Sequence, residues 1–136
     1  MITQQVGEAS VHHLVAAPRS VARARRIASA VARPYLDQTQ YRSFELVVSE
    51  VVSNAVRHGA RPDDRIKFAV TIKDGYVCVQ CTDSGPGLVP RPGVMGPQDD
   101  DGGFGLFIIE QLTRRWGVTR EADQTRVWFE VDFEAA

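Results

Sequence analysis

Two alternating runs joined by Asp-Gly constrain this chain more than any other feature. Arg65-Ile66-Lys67-Phe68-Ala69-Val70-Thr71-Ile72-Lys73 alternates at period two, Asp74-Gly75 follows, and Tyr76-Val77-Cys78-Val79-Gln80-Cys81-Thr82 resumes the alternation. Successive side chains of a strand point to opposite faces, so each run has one face to bury and one to leave open. Asp-Gly between two such runs is a strong hairpin signal, because its backbone suits a tight turn between twisted strands. The two cysteines, Cys78 and Cys81, have CxxC spacing but lie on this second run. Three residues apart on a strand, they face opposite ways, which disfavours a disulfide or a shared metal and favours two inert, buried thiols.

The remaining segments supply a cover for the sheet. A short strand is expected around Val11 to Ala16. Pro18 and Ser20 open a helix in which Val21, Ala24, Ala28, Val31 and Tyr35 recur at three-and-four spacing, with Arg19, Arg23, Arg26 and Arg33 on another stripe. That basic stripe reads either as a solvated face or as a docking surface for an acidic partner. A second helix is expected over Gln40 to His58, stopped by Gly59. Phe44, Val48, Val51, Val52 and Ala55 form its apolar face, and Glu50, Asn54 and His58, spaced by four, form a polar stripe beside it.

After Asp83 the pattern breaks into a Pro/Gly-rich stretch, 84–102, too long for an ordinary connection and expected to be a functional lid. Gly102-Gly103-Phe104-Gly105 leads into an apolar helix expected over Leu106 to Trp116, with Gly117 ending it. A short strand near Val118 to Arg120 then turns into Thr125 to Phe133, where Val127, Phe129, Val131 and Phe133 share a face. Adjacent strands with segregated helices predict an α+β fold, a two-layer sandwich of a mostly antiparallel mixed sheet with helices on one face.

Composition narrows the function. A chain of 136 residues, 43% hydrophobic and 24% charged, is expected to form one globular domain with a core over about 11–133, which excludes disordered and fibrous roles. Sixteen Lys+Arg against seventeen Asp+Glu leave a formal charge of −1, so no global positive field gathers nucleic acid or anionic lipid. No apolar run approaches the ~20 residues that span a bilayer. Met1-Ile2-Thr3-Gln4-Gln5 lacks the pattern of an export signal, and a cytoplasmic location without membrane contact is expected.

Glycines beside a helix N-terminus suit an anion, because exposed N–H groups and the helix dipole both favour negative charge there. Gly103 and Gly105 have that placement, but the chain contains no GxxxxGK[ST], and these glycines follow an acidic loop instead of a strand. Neither the P-loop nor the Rossmann cradle fits. Taken together, Glu50-x-x-x-Asn54-x-x-x-His58, Asp83-x-Gly85-x-Gly87 and Gly103-x-Gly105-Leu106 resemble in order and spacing the N, G1 and G2 boxes of the GHKL ATPase superfamily. The chain most resembles its anti-sigma-factor serine kinases, with VVSEVVSNAVRHG on the second helix, from about Arg19 to Phe133.

The resemblance implies ATP and Mg²⁺ as ligands. Asp83 would accept a hydrogen bond from the adenine amino group, and Gly85 and Gly87 would let the backbone approach the base. Thr125 matches the family's hydroxyl near the base, although Gln124 stands where a glycine usually precedes it. Asn54 would ligate Mg²⁺, Glu50 would act as general base, and Gly103, Gly105 and Leu106 would border the phosphates. His58 fits either a helix-end hydrogen bond or a phosphate contact. Asp99-Asp100-Asp101 fits a helix cap or a lid segment. By the same resemblance the partners would be a sigma factor and a STAS-type antagonist whose serine is phosphorylated, and a homodimer is implied. An ATP-gated interaction module with little or no phosphate transfer is the alternative.

Overall fold

The computed structural model describes residues 9–59, 64–84, 103–121 and 123–133. Five strands, β1 (Ala9–Val15), β2 (Arg65–Ile72), β3 (Tyr76–Asp83), β4 (Arg115–Glu121) and β5 (Gln124–Asp132), form one sheet in the order β1-β2-β3-β5-β4. Every pairing among them is antiparallel, so the expected α+β sandwich holds while the described sheet is not mixed. The hairpin lies where Asp74-Gly75 placed it. Lys73 N–H donates to Tyr76 O at 2.8 Å, and Gly75 takes φ 90°, a left-handed value that an L side chain resists.

Three helices cover one face: α1 (Arg19–Ala32), α2 (Gln38–Asn54) and α3 (Gly103–Leu112). Alternation along the strands decides which face they cover. Ile66, Phe68, Val70, Val77, Val79, Cys81, Val127, Phe129 and Val131 all belong to one core, with Phe44, Val47, Val48, Val51 and Val52 of α2 packed onto it. The expected arginine stripe of α1 is exposed at Arg19, Arg23, Arg26 and Arg33, while Ala24 and Ala28 are buried. Two polar contacts tie α1 to α2: Tyr41 donates to Ser29 Oγ at 2.9 Å and Arg25 to Ser49 Oγ at 3.2 Å.

Helix boundaries depart from the sequence reading at definite places. The first helix changes at Arg33 to a 3-10 turn through Tyr35. The second begins at Gln38 instead of Gln40, because Asp37 caps it. Gln40 N–H donates to Asp37 Oδ1 and Asp37 N–H donates to Gln40 Oε1, both at 2.8 Å, a reciprocal capping box. Its α-helical geometry ends at Asn54, and Ala55–Gly59 continue as a π-helical turn, so the expected helix to His58 is two geometries in succession.

The largest correction concerns Trp116 and Gly117, which lie in β4 and not at the end of a helix. Helix α3 stops at Leu112. Thr113 turns its hydroxyl back to Ile109 O at 2.7 Å, and Arg114 N–H donates to Glu130 O at 2.7 Å, which delivers the chain to the sheet edge. Arg115 then donates from Nε and Nη2 to Glu130 Oε1, both at 2.9 Å. Gly117 sits opposite Trp128, and a Cβ there would come within 2.8 Å of the indole ring. Its glycine therefore serves close strand packing. Gly117→Ala is expected to displace Trp128 and destabilise the fold by about 1–3 kcal/mol, the usual penalty for overpacking. Urea unfolding followed by tryptophan fluorescence checks this, and an unchanged midpoint would contradict it.

Candidate nucleotide site

Period two aims Asp83 inward. It shares the core face of β3 with Val77, Val79 and Cys81, and it is 3% exposed although it carries a carboxylate. Directly across the ladder stands Thr125, fully buried at the start of β5. Both residues have an interacting partner. Asp83's charge is felt two residues back: burial first, and then the Asp83 charge, push the Cys81 thiol far above its ordinary range. Burial first and Glu130 second also push up the Cys78 thiol on the opposite face.

Helix α2 carries Glu50 and Asn54 of the polar stripe. The π-helical turn that follows it packs against β3, and α3 packs beside α2. Asn54 is 2% exposed, and its Oδ1 accepts a hydrogen bond from Arg57 Nη2 at 3.3 Å. Glu50, one turn earlier, is half-buried. A π turn moves residues off the three-and-four register, and such turns are frequent at functional sites. Arg57 is the residue that the stripe at spacing four did not identify; its spacing of three from Asn54 was the available signal.

The other sequence-derived positions divide cleanly. Gly103, Gly105 and Leu106 lie within the first turn of α3, so that helix opens three residues before the expected Leu106 and places the glycines at its N-terminus. Of these three and of His58, which lies in the π turn, only the backbone path is described. Gly85, Gly87, all of the expected 84–102 lid except Ser84, and Asp99-Asp100-Asp101 fall outside the described residues. The structure thus pairs Asp83 with Thr125 across the ladder and packs the π turn bearing Arg57 against β3. A concavity of about 300 Å³ is lined by Asp83 together with His13, Lys67, Thr82 and Arg126, which follow one ladder across four strands.

Among the described residues no group of three or more His, Cys, Asp or Glu side chains is placed to hold a metal ion. The donor present is a neutral amide oxygen, Asn54 Oδ1, already turned toward a cationic group. This fits a hard cation whose remaining oxygen ligands come with phosphates and water, and it does not fit an all-protein metal cage.

Comparison with known proteins decides the family. The pattern described as Histidine kinase-like ATPase domain matches residues 14–131. The chain belongs to this family. The resemblance to GHKL ATPase domains is thereby upheld at the level of the histidine kinase-like ATPase family. Two proteins named Anti-sigma F factor, from Clostridium botulinum strains Eklund 17B and Alaska E43, are each 38% identical over 76 residues. That match covers 53% of this chain and 53% of each relative, so it spans about half the length of these curated relatives.

Solved structures agree on the fold. A crystal structure of the RsbU and RsbW domains of a Mycobacterium tuberculosis protein superposes with TM-score 0.69 at 20% identity, covering 92% of this chain and 32% of that one. The histidine kinase domain of a blue-light activated kinase from Erythrobacter litoralis gives TM-score 0.55 at 23% identity, covering 83% and 60%. No helix among the described residues is long and apolar enough to cross a membrane.

Both cysteines are free and buried, on opposite faces of β3 as the alternation required. Their raised titration predicts thiols that stay protonated in the native state. Ellman's reagent at pH 8 is expected to leave both unreacted until denaturant is added. The sign follows from the shift: an unfolded thiol ionises near 9.0, so folding stability declines as pH rises above about 9. Rapid reaction of either thiol in the native protein would contradict this burial.

Proposed function

We propose that this domain is an ATP-dependent protein-serine kinase of the anti-sigma type, acting on a STAS-type antagonist and holding a sigma factor. Support comes from one arrangement above all. A buried carboxylate, Asp83, pairs across the ladder with a buried hydroxyl, Thr125, and the turn that follows Asn54 packs against the strand that carries Asp83. The relatives named Anti-sigma F factor support the choice of partners, and the family supports the nucleotide.

In this reading Asp83 and Thr125 bind the adenine edge, with the carboxylate accepting from the amino group. The N–H groups at the start of α3 face the phosphates, where the helix dipole favours negative charge. Asn54 would hold Mg²⁺ through its amide oxygen. When bound, the ion supplies neutralisation of the charge that develops on the transferring phosphate. Glu50 accepts the proton from the attacking serine hydroxyl. The serine oxygen then forms a bond to the γ-phosphorus as the bond to the bridging β,γ-oxygen breaks, and ADP leaves. Removal of the antagonist by phosphorylation would return the domain to its sigma factor, with binding and release governed by one acceptor serine.

Two substitutions separate recognition from transfer. Asp83→Ala is expected to weaken ATP binding about 10- to 150-fold, the consequence of losing a hydrogen bond to a charged acceptor. Isothermal titration calorimetry measures it, and an unaltered dissociation constant would reject the base assignment. Glu50→Ala is expected to keep ATP affinity while slowing phosphorylation of the antagonist by ~10²- to 10⁴-fold. Mass spectrometry of the acceptor serine reads that rate. Equal rates in parent and variant would remove Glu50 as the general base, and absence of phosphorylation by the parent would leave an ATP-gated interaction module.

A further inference from the structure

The helices cover one face of the sheet, and alternation turns every second strand residue to the other. On that opposite face two neighbouring rows cross all five strands. His13, Lys67, Thr82, Arg126 and Thr119 stand side by side in the first, and Val11, Ala69, Gln80, Trp128 and Gly117 in the second. The rows are two residues apart along each strand, about 7 Å. Lys67 is exposed, as is Arg65, which lines the same concavity of about 300 Å³, and neither has an ion-pair partner among the described residues. Arg126 holds Glu121 only at 3.6 Å. The acids farther along this face are matched at shorter range, Glu130 by Arg115 and Asp132 by Arg114, each at 2.9 Å. The first row therefore carries a local positive surplus that the formal charge of −1 conceals. In the second row Trp128 rests on Gly117, where a Cβ would meet its ring at 2.8 Å, and it stays half-buried. Val11, 44% exposed, continues that row to the β1 edge.

We infer that this sheet face binds single-stranded nucleic acid, with phosphates along the cationic row and bases over the row of Trp128. An extended strand presents phosphates on one side and bases on the other, the same order as the two rows. Guanidinium and ammonium groups meet phosphate oxygens as charged donors, and an indole offers any base a face to stack on. Thr82, Thr119 and Gln80 add hydroxyl and amide donors between them. A strand without a complement suits a sheet, because its bases are free to splay out and lie on side chains. An acidic peptide would meet the cations but leave Trp128 and Val11 unused. Asp83 borders the concavity at the end of β3, but its side chain is buried toward the core, so this face is distinct from the proposed adenine pocket. Neither reading depends on the other.

Fluorescence anisotropy with labelled oligo(dT) and oligo(U), neither of which carries adenine, tests this on the whole chain. Saturable binding of at least one is expected, and the tighter of the two identifies DNA or RNA as the ligand. With three cations engaged, affinity should fall roughly 20-fold between about 50 and 200 mM KCl. Arg65→Gln and Lys67→Gln, made together at exposed positions, should keep the parent's urea midpoint, weaken binding about tenfold at the lower salt and cut the salt dependence by more than half. Stacking should quench tryptophan emission in the parent, and Trp128→Phe, which leaves Trp116 as the reporter, should abolish the quench. No saturable binding, or an unchanged double variant, would overturn the inference. So would polyglutamate binding as tightly as the oligonucleotide, which would make the face a protein-docking surface, or displacement of the oligonucleotide by ATP and Mg²⁺, which would place it in the adenine pocket. Failure of ATP itself to bind would remove the kinase reading and leave this inference standing.

Discussion

Burial of the Asp83 carboxylate is the constraint on which the rest depends. Removing a carboxylate from water costs several kcal/mol unless hydrogen bonds and charge compensate it. The chain places Asp83 at the end of an apolar column, Val77, Val79 and Cys81, where alternation makes its side chain face the core. A slip of one residue would turn it to the open face and bring Thr82 inward. Register is therefore what keeps the carboxylate in place. The Asp74-Gly75 turn fixes it on the β2 side, and the run of paired residues from Tyr76–Asp132 to Asp83–Thr125 fixes it on the β5 side.

That register also determines what stands around the carboxylate. Thr125 is opposite because β5 lies between β3 and β4, and β5 can lie there only because the chain leaves α3 for the outer edge first. Close approach of β4 and β5 needs Gly117 under Trp128, and the edge is held by Arg115 on the buried Glu130. On the helical side, α2 anchors through Phe44, Val48, Val51 and Val52, and this apolar face carries Glu50 and Asn54 on its flank. Packing thus fixes where α2 holds Glu50 and Asn54 relative to its buried face.

Much of this was legible in the residues. The hairpin was, since two alternating runs around Asp-Gly admit few other structures, and the core face of α2 was, since Phe44, Val48, Val51, Val52 and Ala55 recur at helical spacing and are all buried. Trp116 and Gly117 misled because an apolar run followed by glycine is the ordinary signature of a helix end. What overrode it was tertiary: Arg114 and Arg115 find their partners on Glu130, fifteen or more residues later. The change from α to π geometry after Asn54 was also hidden, because a stripe at spacing four reads alike in either case until Arg57 is seen on the Asn54 oxygen. Asp37 escaped notice as a cap because its box closes with Gln40, whose side chain contributes only once the backbone has turned.

Discrimination between bases tests the central claim most directly. Adenine offers an amino group where guanine offers a carbonyl oxygen, and an oxygen facing the Asp83 carboxylate would set two acceptors against each other. Parallel calorimetric titrations with ATP and GTP in the same Mg²⁺ buffer measure this. The account predicts that ATP binds at least about tenfold more tightly, the worth of one charge-assisted hydrogen bond. Equal affinity for the two nucleotides, or no saturable binding of either, would contradict it.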